Sequence, residues 1–468
     1  MQEKSVITRS IEVAGGVHAP GHLGELTQII DFDLVDAVLE ETGTREKRLR
    51  LLPSRVVVYF VLALALLERC SYRATWGKLT AALAGLCLTR PSTSSLSRAR
   101  RRVGVAPLRR LFETLAGAVG LLGQPGVFYR GLRTVAIDGT HLHVPDEEQV
   151  TWRYPTRVGD KLEFGYPLLR LLVVIECGTR ALLAAAFGPE TEGELAYAQR
   201  LLGVLDRTML LLADAGFDAA EFLRDVEAGG AQFLVRSSAR RCPTIQRRLP
   251  DGSYLARIGY GSLPALILVR VIEAQVTVTL ADGSLRREQW RLITSLTDHT
   301  RYPAHELVDL YHERWQAETT YFSIKATMLD GRVLRSRSIP GIEQEVYALL
   351  TAYQALIRAA ADATCTQPGL DMDRISFTIL IDAAADTITT ASGILPGSST
   401  DLLGTIGHAA LADLLPAWRR PRIKARSRKN PTSKYSPNAG QHPATTQTYT
   451  FHADITIFEK GLASRSRR

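Results

Sequence analysis

The chain has 468 residues, of which 46% are apolar and 22% charged, the composition of an ordinary globular protein with length for two to four domains and an ample core. A net charge of +9 and a pI near 9.4 favour polyanionic partners, nucleic acid among them. Five widely spaced cysteines with no Cys-x2-Cys pair exclude a disulfide framework and a zinc site, and predict reduced core residues of a cytosolic protein.

Residues 1–24 are punctuated by Gly and Pro and predict a loose start without an apolar signal region. A helical region is expected over 25–125, with helices at Leu26–Leu39, Ser54–Arg69 and Tyr72–Ala84. The apolar run Val56–Leu67 ends at Glu68-Arg69, is too short to span a bilayer and reads as a buried helix, so no membrane role is predicted. The turn Thr89-Arg-Pro-Ser-Thr-Ser-Ser carries N-cap chemistry and opens the basic helix Leu96-Ser-Arg98-Ala-Arg100-Arg101-Arg102-Val103. Behind a helix and a turn, these arginines have the form of a recognition helix in a helix-turn-helix-like module; the alternative is a solvated charge run.

Residues 126–360 read as an α/β unit. Gly131-Leu-Arg-Thr-Val-Ala-Ile-Asp138-Gly predicts a strand ending at Asp138, followed by strands at Leu168–Glu176 and Ala181–Phe187 and a helix at Gly193–Leu205. Met209-Leu-Leu-Leu-Ala-Asp214-Ala-Gly-Phe is a second buried strand ending in Asp, then a helix at Ala219–Glu227 and a strand at Gln232–Ser237. Acids just beyond strand carboxyl ends stand where α/β sheets present ligands, although a lone strand-end Asp commonly caps the next helix. Some 104 residues separate Asp214 from Glu318, far more than a bare connection needs. The surplus, about 239–296, alternates and carries Asp282-Gly283 between two strand patterns, a hairpin signal. It predicts a β-rich insertion.

From Ala304 the chain predicts one continuous helix through Tyr311-His-Glu-Arg314-Trp-Gln-Ala-Glu318-Thr-Thr-Tyr-Phe-Ser-Ile-Lys325. At about 100° per residue, Tyr311, Arg314, Glu318 and Lys325 fall within an arc of about 60°. A surface i,i+4 pair would explain Arg314 and Glu318 alone; with Asp138 and Asp214 they make a three-carboxylate constellation. His141 and His143 alternate after Asp138, but no Cys or third His lies nearby in the sequence to complete a zinc set. Trp315 and Tyr321 read as packing.

The order Asp138, Asp214, Glu318, with Tyr311-x2-Arg314-x3-Glu318-x6-Lys325, resembles the DDE transposases of bacterial insertion sequences. It is most similar to the insertion-element-four-like group, whose last acid sits in a Tyr-Arg-Glu-Lys signature. The resemblance covers residues from about 25 to 360. It implies a ribonuclease-H-like mixed sheet, an all-helical N-terminal domain that binds transposon ends, and a β-rich insertion. Such an enzyme cuts and joins double-stranded DNA, at transposon ends and target, with two Mg²⁺ ions (Mn²⁺ as a substitute) held by Asp138, Asp214 and Glu318, Asp138 bridging. Arg314 and Lys325 would grip phosphates, Tyr311 would donate to one, and Trp290 would stack on a flipped base or pack as a strand Trp. A homodimer on DNA and a cytoplasmic, nucleoid-associated location complete the expectation. The competing readings are a related Mg²⁺-dependent DNA nuclease and a catalytically silent DNA-binding relic.

Beyond Pro340-Gly341 a helix is predicted at Glu343–Ala361, then a helical segment over 361–417. The tail, 418–468, is basic at its start (Arg419, Arg420, Arg422, Lys424, Arg426) and then rich in Pro, Ser, Thr and Asn, a composition that predicts partial disorder. Its cations are expected to form a DNA-contacting arm, with a solubilising tail as the alternative. Residues 451–458 predict a short strand.

Overall fold

A computed structural model describes residues 21–48, 50–83, 90–156, 165–238, 241, 243–259, 266–279, 285–394, 403–417, 422–424, 448–450 and 453–458. Among these, eleven strands form one sheet. One end of it is β1 (Leu132–His143), β2 (Leu168–Glu176) and β3 (Leu182–Pro189), paired antiparallel in turn, with β3 at the edge. The strands β4 (Met209–Ala213) and β5 (Gln232–Arg236) run parallel to β1 and extend it on the other side. The order β3-β2-β1-β4-β5 is the ribonuclease-H-like mixed sheet. Every residue of β4 is buried, as a strand covered on both faces requires.

The expected insertion forms β6 (Thr244–Arg248), β7 (Tyr254–Ile258), β8 (Ile267–Thr279) and β9 (Leu285–Thr294). It prolongs the central sheet: β9 pairs with β5 through Leu292 and Arg236, and the order continues β9-β8-β7-β6. A strand near the C-terminus, β10 (Ala453–Ile457), adds to β8. Cross-sheet ion pairs hold this extension. Buried Arg270 on β8 binds Asp251, whose Oδ2 also accepts from the backbone N–H of Ala304 at the start of the acid-bearing helix, 3.1 Å away. The insertion therefore fixes where that helix begins.

One face of the sheet packs on α6 (Glu194–Leu201) and α7 (Ala220–Ala228), through residues such as Ile137, Leu211, Phe222 and Val235. The other packs on α10 (Ile339–Cys365), a 27-residue helix with Pro340 tolerated in its first turn. The N-terminal region is all-helical, as expected: α1 (Phe32–Glu41), α2 (Ser54–Leu66), α3 (Tyr72–Leu79), α4 (Thr93–Val103) and α5 (Ala106–Leu115). Its core is continuous with that of α10 and the sheet. Two helices, α11 (Phe377–Thr390) and α12 (Gly404–Ala412), complete this layer. The helix expected at Leu26–Leu39 is broken because Asp31 caps a fresh start, its Oδ1 accepting from Leu34 N at 2.7 Å.

Two expectations need larger correction. Asp138 does not end its strand; it is the seventh of twelve residues, because β2 continues to pair with β1 as far as His143. The helix expected from Ala304 through Lys325 is interrupted. It runs as α8 (Ala304–Leu310), a 3₁₀ turn (Tyr311–Arg314), α9 (Trp315–Phe322) and a π-helical segment (Ser323–Met328). Of the cysteines, Cys177 is buried, Cys70 half-buried and Cys365 exposed; these three form no disulfide among the described residues, and Cys87 and Cys242 lie outside them. No described helix is long and apolar enough to cross a membrane.

Candidate active site

The parallel pair β1 and β4 builds the site. Ala136 is level with Leu212, so two more residues in that register bring Asp138 level with Asp214 at the carboxyl edge of β4. Asp138 Oδ1 accepts from Gly139 N at 2.9 Å, and Asp214 Oδ1 from Gly216 N at 2.8 Å, starting the turn Ala215–Phe217.

Two phenols dock the third acid onto that edge. Tyr311 is buried and donates to the carbonyl of Ala213, 3.1 Å away, immediately before Asp214. Tyr321 donates to the carbonyl of Asp138 itself and accepts from Val173 N at 3.2 Å. Glu318 lies between these pins on α9. The helical irregularities follow from them: two fixed hydroxyls ten residues apart leave the backbone to tighten at one end and widen at the other. Tyr321, expected only to pack, thus helps position the site, and nothing in its local sequence distinguishes it. Tyr311→Phe should lower folding stability by about 1–3 kcal/mol, the cost of leaving a buried carbonyl unpaired. Urea unfolding measures it.

Arg314 stands between the acids. Its Nη1 is 3.5 Å from Asp138 Oδ2 and its Nη2 3.3 Å from Glu318 Oε1, with only 8% of the side chain exposed. Burial works against its charge, but Tyr311, Asp138, Glu318 and Asp214 together hold its pKa above the ordinary arginine value. Burial pushes the Asp138 carboxyl up to about 7; Arg314 opposes this, while Asp214 and Glu318 add to it by repulsion. Lys325 Nζ lies 3.2 Å from Thr140 Oγ1, and burial lowers its pKa. The four signature residues thus face one site. Arg314, however, is turned onto carboxylates instead of outward to phosphate, and Tyr311 onto backbone.

Among the described residues, no three His, Cys, Asp or Glu side chains stand close enough to hold a metal ion together. The donor chemistry nonetheless suits a hard divalent cation: Asp138 and Glu318 share one buried guanidinium, Asp214 lies within its electrostatic reach, and the repulsion of Asp214 and Glu318 on Asp138 is what a dication relieves. His141 Nε2 is 3.2 Å from Glu190 Oε1 and belongs to no metal set.

The expected DNA contacts divide. Arg98, Arg101 and Arg102 are exposed on α4, Arg102 near Glu46 at 3.7 Å. Arg100 is buried: it donates to Gln344 Oε1 at 2.9 Å, Ser336 Oγ at 3.2 Å and Tyr72 Oη, and so ties α4 to α10. Trp290 is 7% exposed, edge-on to Tyr311 at 5.4 Å with Arg236 over its ring, so it packs under the site instead of offering a free stacking face. Arg422 and Lys424 lie on a short strand paired with Thr448–Thr450; Arg426 is outside the described residues.

A model of the insertion element 4 transposase N-terminal region matches residues 20–113, and one of the transposase DDE domain matches residues 129–355. Transposase InsG for insertion sequence element IS4, from Escherichia coli (strain K12), is 27% identical over 420 residues, 88% of this chain and 94% of that protein. The putative transposase InsZ of the same organism is 28% identical over 138 residues, 29% of this chain and 46% of that protein. Among solved structures, a cryo-EM structure of the piggyBac transposase synaptic complex with hairpin DNA aligns over 90% of this chain and 91% of that one, with 11% identity. The TM-score of that alignment is 0.40. From the two matched models and a relative spanning nearly the whole chain, together with the acid order on the ribonuclease-H-like sheet, the protein is a member of the insertion-element-4 group of DDE transposases.

Proposed function

We propose that this transposase binds the terminal inverted repeats of an insertion sequence, cleaves DNA at their ends and transfers the freed strands to target DNA, a cut-and-paste reaction. What supports the reading is Arg314, paired with Asp138 of β1 and Glu318 of α9 and within electrostatic reach of Asp214 at the end of β4. Asp138, Asp214 and Glu318 would hold two Mg²⁺ ions, or Mn²⁺ in their place. When bound, these ions supply an activated oxygen nucleophile and relief of charge on the leaving oxygen.

The chain's own groups do the rest. Tyr311 and Tyr321 fix α9 so that Glu318 faces the strand acids. Arg314 neutralises Asp138 and Glu318, and its planar fork is the group suited to a phosphate beside them. Lys325, held at Thr140, places a single positive charge beside the same edge. The N-terminal helices, residues 25–125, recognise the ends through Arg98, Arg101 and Arg102 on α4, and the basic tail from 418 adds contacts. Two copies bridge two ends as a homodimer, acting on DNA in the cytoplasm.

A duplex carrying the element's own inverted repeats tests this. With Mg²⁺, cleavage at the repeat ends that is lost in Asp138→Ala is expected. Structure-specific cutting of branched DNA would point to the related nuclease, and tight binding without cleavage to the relic. On α4, Arg98→Ala with Arg101→Ala should weaken end binding and reduce the salt slope by about 2, about one per phosphate contact, leaving stability within about 0.5 kcal/mol. Arg100→Ala should instead cost about 1–3 kcal/mol of stability. Salt-dependent binding isotherms and urea melts separate the two.

A further inference from the structure

The connection from α1 to α2 carries four cations, Arg45, Lys47, Arg48 and Arg50, against one acid, Glu46. It is pinned at both ends. Thr44 N and Arg45 N donate to Leu39 O, at 2.9 and 3.1 Å, so the chain leaves α1 by a tight turn. Glu46 accepts from Ser54 N at the start of α2, and Ser54 Oγ donates to Thr44 O at 2.9 Å. Arg102, in the last turn of α4, closes on the same connection: it donates to Leu52 O and stands 3.7 Å from Glu46. The neighbouring acids hold cations of their own, Asp36 binding Arg55 through two bonds of 2.8 and 2.6 Å and Glu40 binding Arg45 at 3.2 Å. Lys47, Arg48 and Arg50 are exposed. With Arg45 and Arg55, and with Asp36 and Glu46 engaged as above, they line a cleft of about 180 Å³.

This basic surface continues that of α4, where Arg98, Arg101 and Arg102 are exposed. Burial lowers the pKa of Arg102; Glu46 opposes this and the charge of Arg50 adds to it, which places Arg50 beside the end of α4. From Arg98 to Arg102 the helix rises only about 6 Å. A DNA duplex carries one negative charge per about 1.7 Å of its axis. Bases engaged by α4 are therefore flanked by phosphates beyond the reach of its own arginines, and the next cations on this surface are those of the connection. Because the connection is pinned to α1, α2 and α4, a phosphate need order side chains only and not the chain that carries them.

We propose that Lys47, Arg48 and Arg50 form a second DNA-contacting element, which binds phosphates flanking the bases reached by α4 and does not read sequence. This rests on the end-binding reading given above. The test is binding of the full chain to two duplexes of equal length, one carrying the element's inverted repeat and one unrelated, each across a salt series. Lys47→Ala, Arg48→Ala and Arg50→Ala combined should lower the salt slope by about 3 on both duplexes, about one per phosphate contact. The ratio of the two affinities should stay as in the wild type, and so should the melting temperature, since these side chains are exposed. Arg98→Ala with Arg101→Ala is the control. If the control weakens end binding while the triple variant keeps the wild-type slope, or loses affinity for the repeat alone, the inference is overturned and the end-binding reading stands. If neither variant changes binding, the end-binding reading itself fails, and this inference with it.

Discussion

Asp138→Asn is expected to reduce end cleavage by about 1,000-fold or more, and yet to make the metal-free protein more stable above neutral pH. The first half follows from removing an oxygen donor at the centre of the acid edge; three decades correspond to about 4 kcal/mol of lost transition-state stabilisation. The second half follows from burial. The carboxyl is pushed up to about 7 in the folded protein, from an ordinary value near 3.8. Between those values the folded state binds a proton that the unfolded state releases, so stability falls as pH rises through this window. Above pH 7 the full penalty of a buried, crowded carboxylate is present. Asparagine has the same shape and never ionises. The variant should therefore melt higher than the wild type at pH 8, while near pH 4 the difference closes. Calorimetry without metal at both pH values, beside a cleavage assay, checks the pair of effects. A variant that melts lower at pH 8 would mean that Asp138 is held charged by Arg314, and that the crowding inferred here is absent.

The acids were legible in the sequence because their spacing with Tyr311, Arg314 and Lys325 forms a signature, and because apolar runs such as Met209–Ala213 can only be strands buried on both faces. The β-rich insertion announced itself through Asp282-Gly283 and the alternating runs that flank it. What local pattern could not supply was anything decided by a distant partner. Arg100 and Arg101 are adjacent in one charge run, and only the packing of α4 on α10 turns the first inward to Gln344. The breaks in the acid-bearing helix come from Tyr311 reaching back to Ala213 and Tyr321 to Asp138, contacts across 98 and 183 residues. Trp290 reads equally well as a platform or a packed ring until Tyr311 and Arg236 are seen to cover it.

Arg314→Ala should be the most destabilising single change at this site, by about 3–5 kcal/mol at pH 8, because it strips the countercharge from acids that stay buried. The guanidinium spans Asp138 and Glu318. Without it Asp138 takes a proton more readily still, so the loss should shrink at pH 5, where the carboxyl is neutral at little cost. Arg314→Lys should recover only part of the difference, since one ammonium cannot span two carboxylates as a planar fork does. A dication provides an independent readout. Mg²⁺ and the guanidinium compete to neutralise the same acids, so added Mg²⁺ should raise the melting temperature of Arg314→Ala more than that of the wild type, by mass action on a site no longer occupied by its own cation. Melts at pH 5 and pH 8, with and without Mg²⁺, give all four values. Equal melting of variant and wild type at both pH values would show that the countercharge comes from elsewhere. Loss of stability with no added response to Mg²⁺ would show that these carboxylates are a structural ion-pair network and not a metal site.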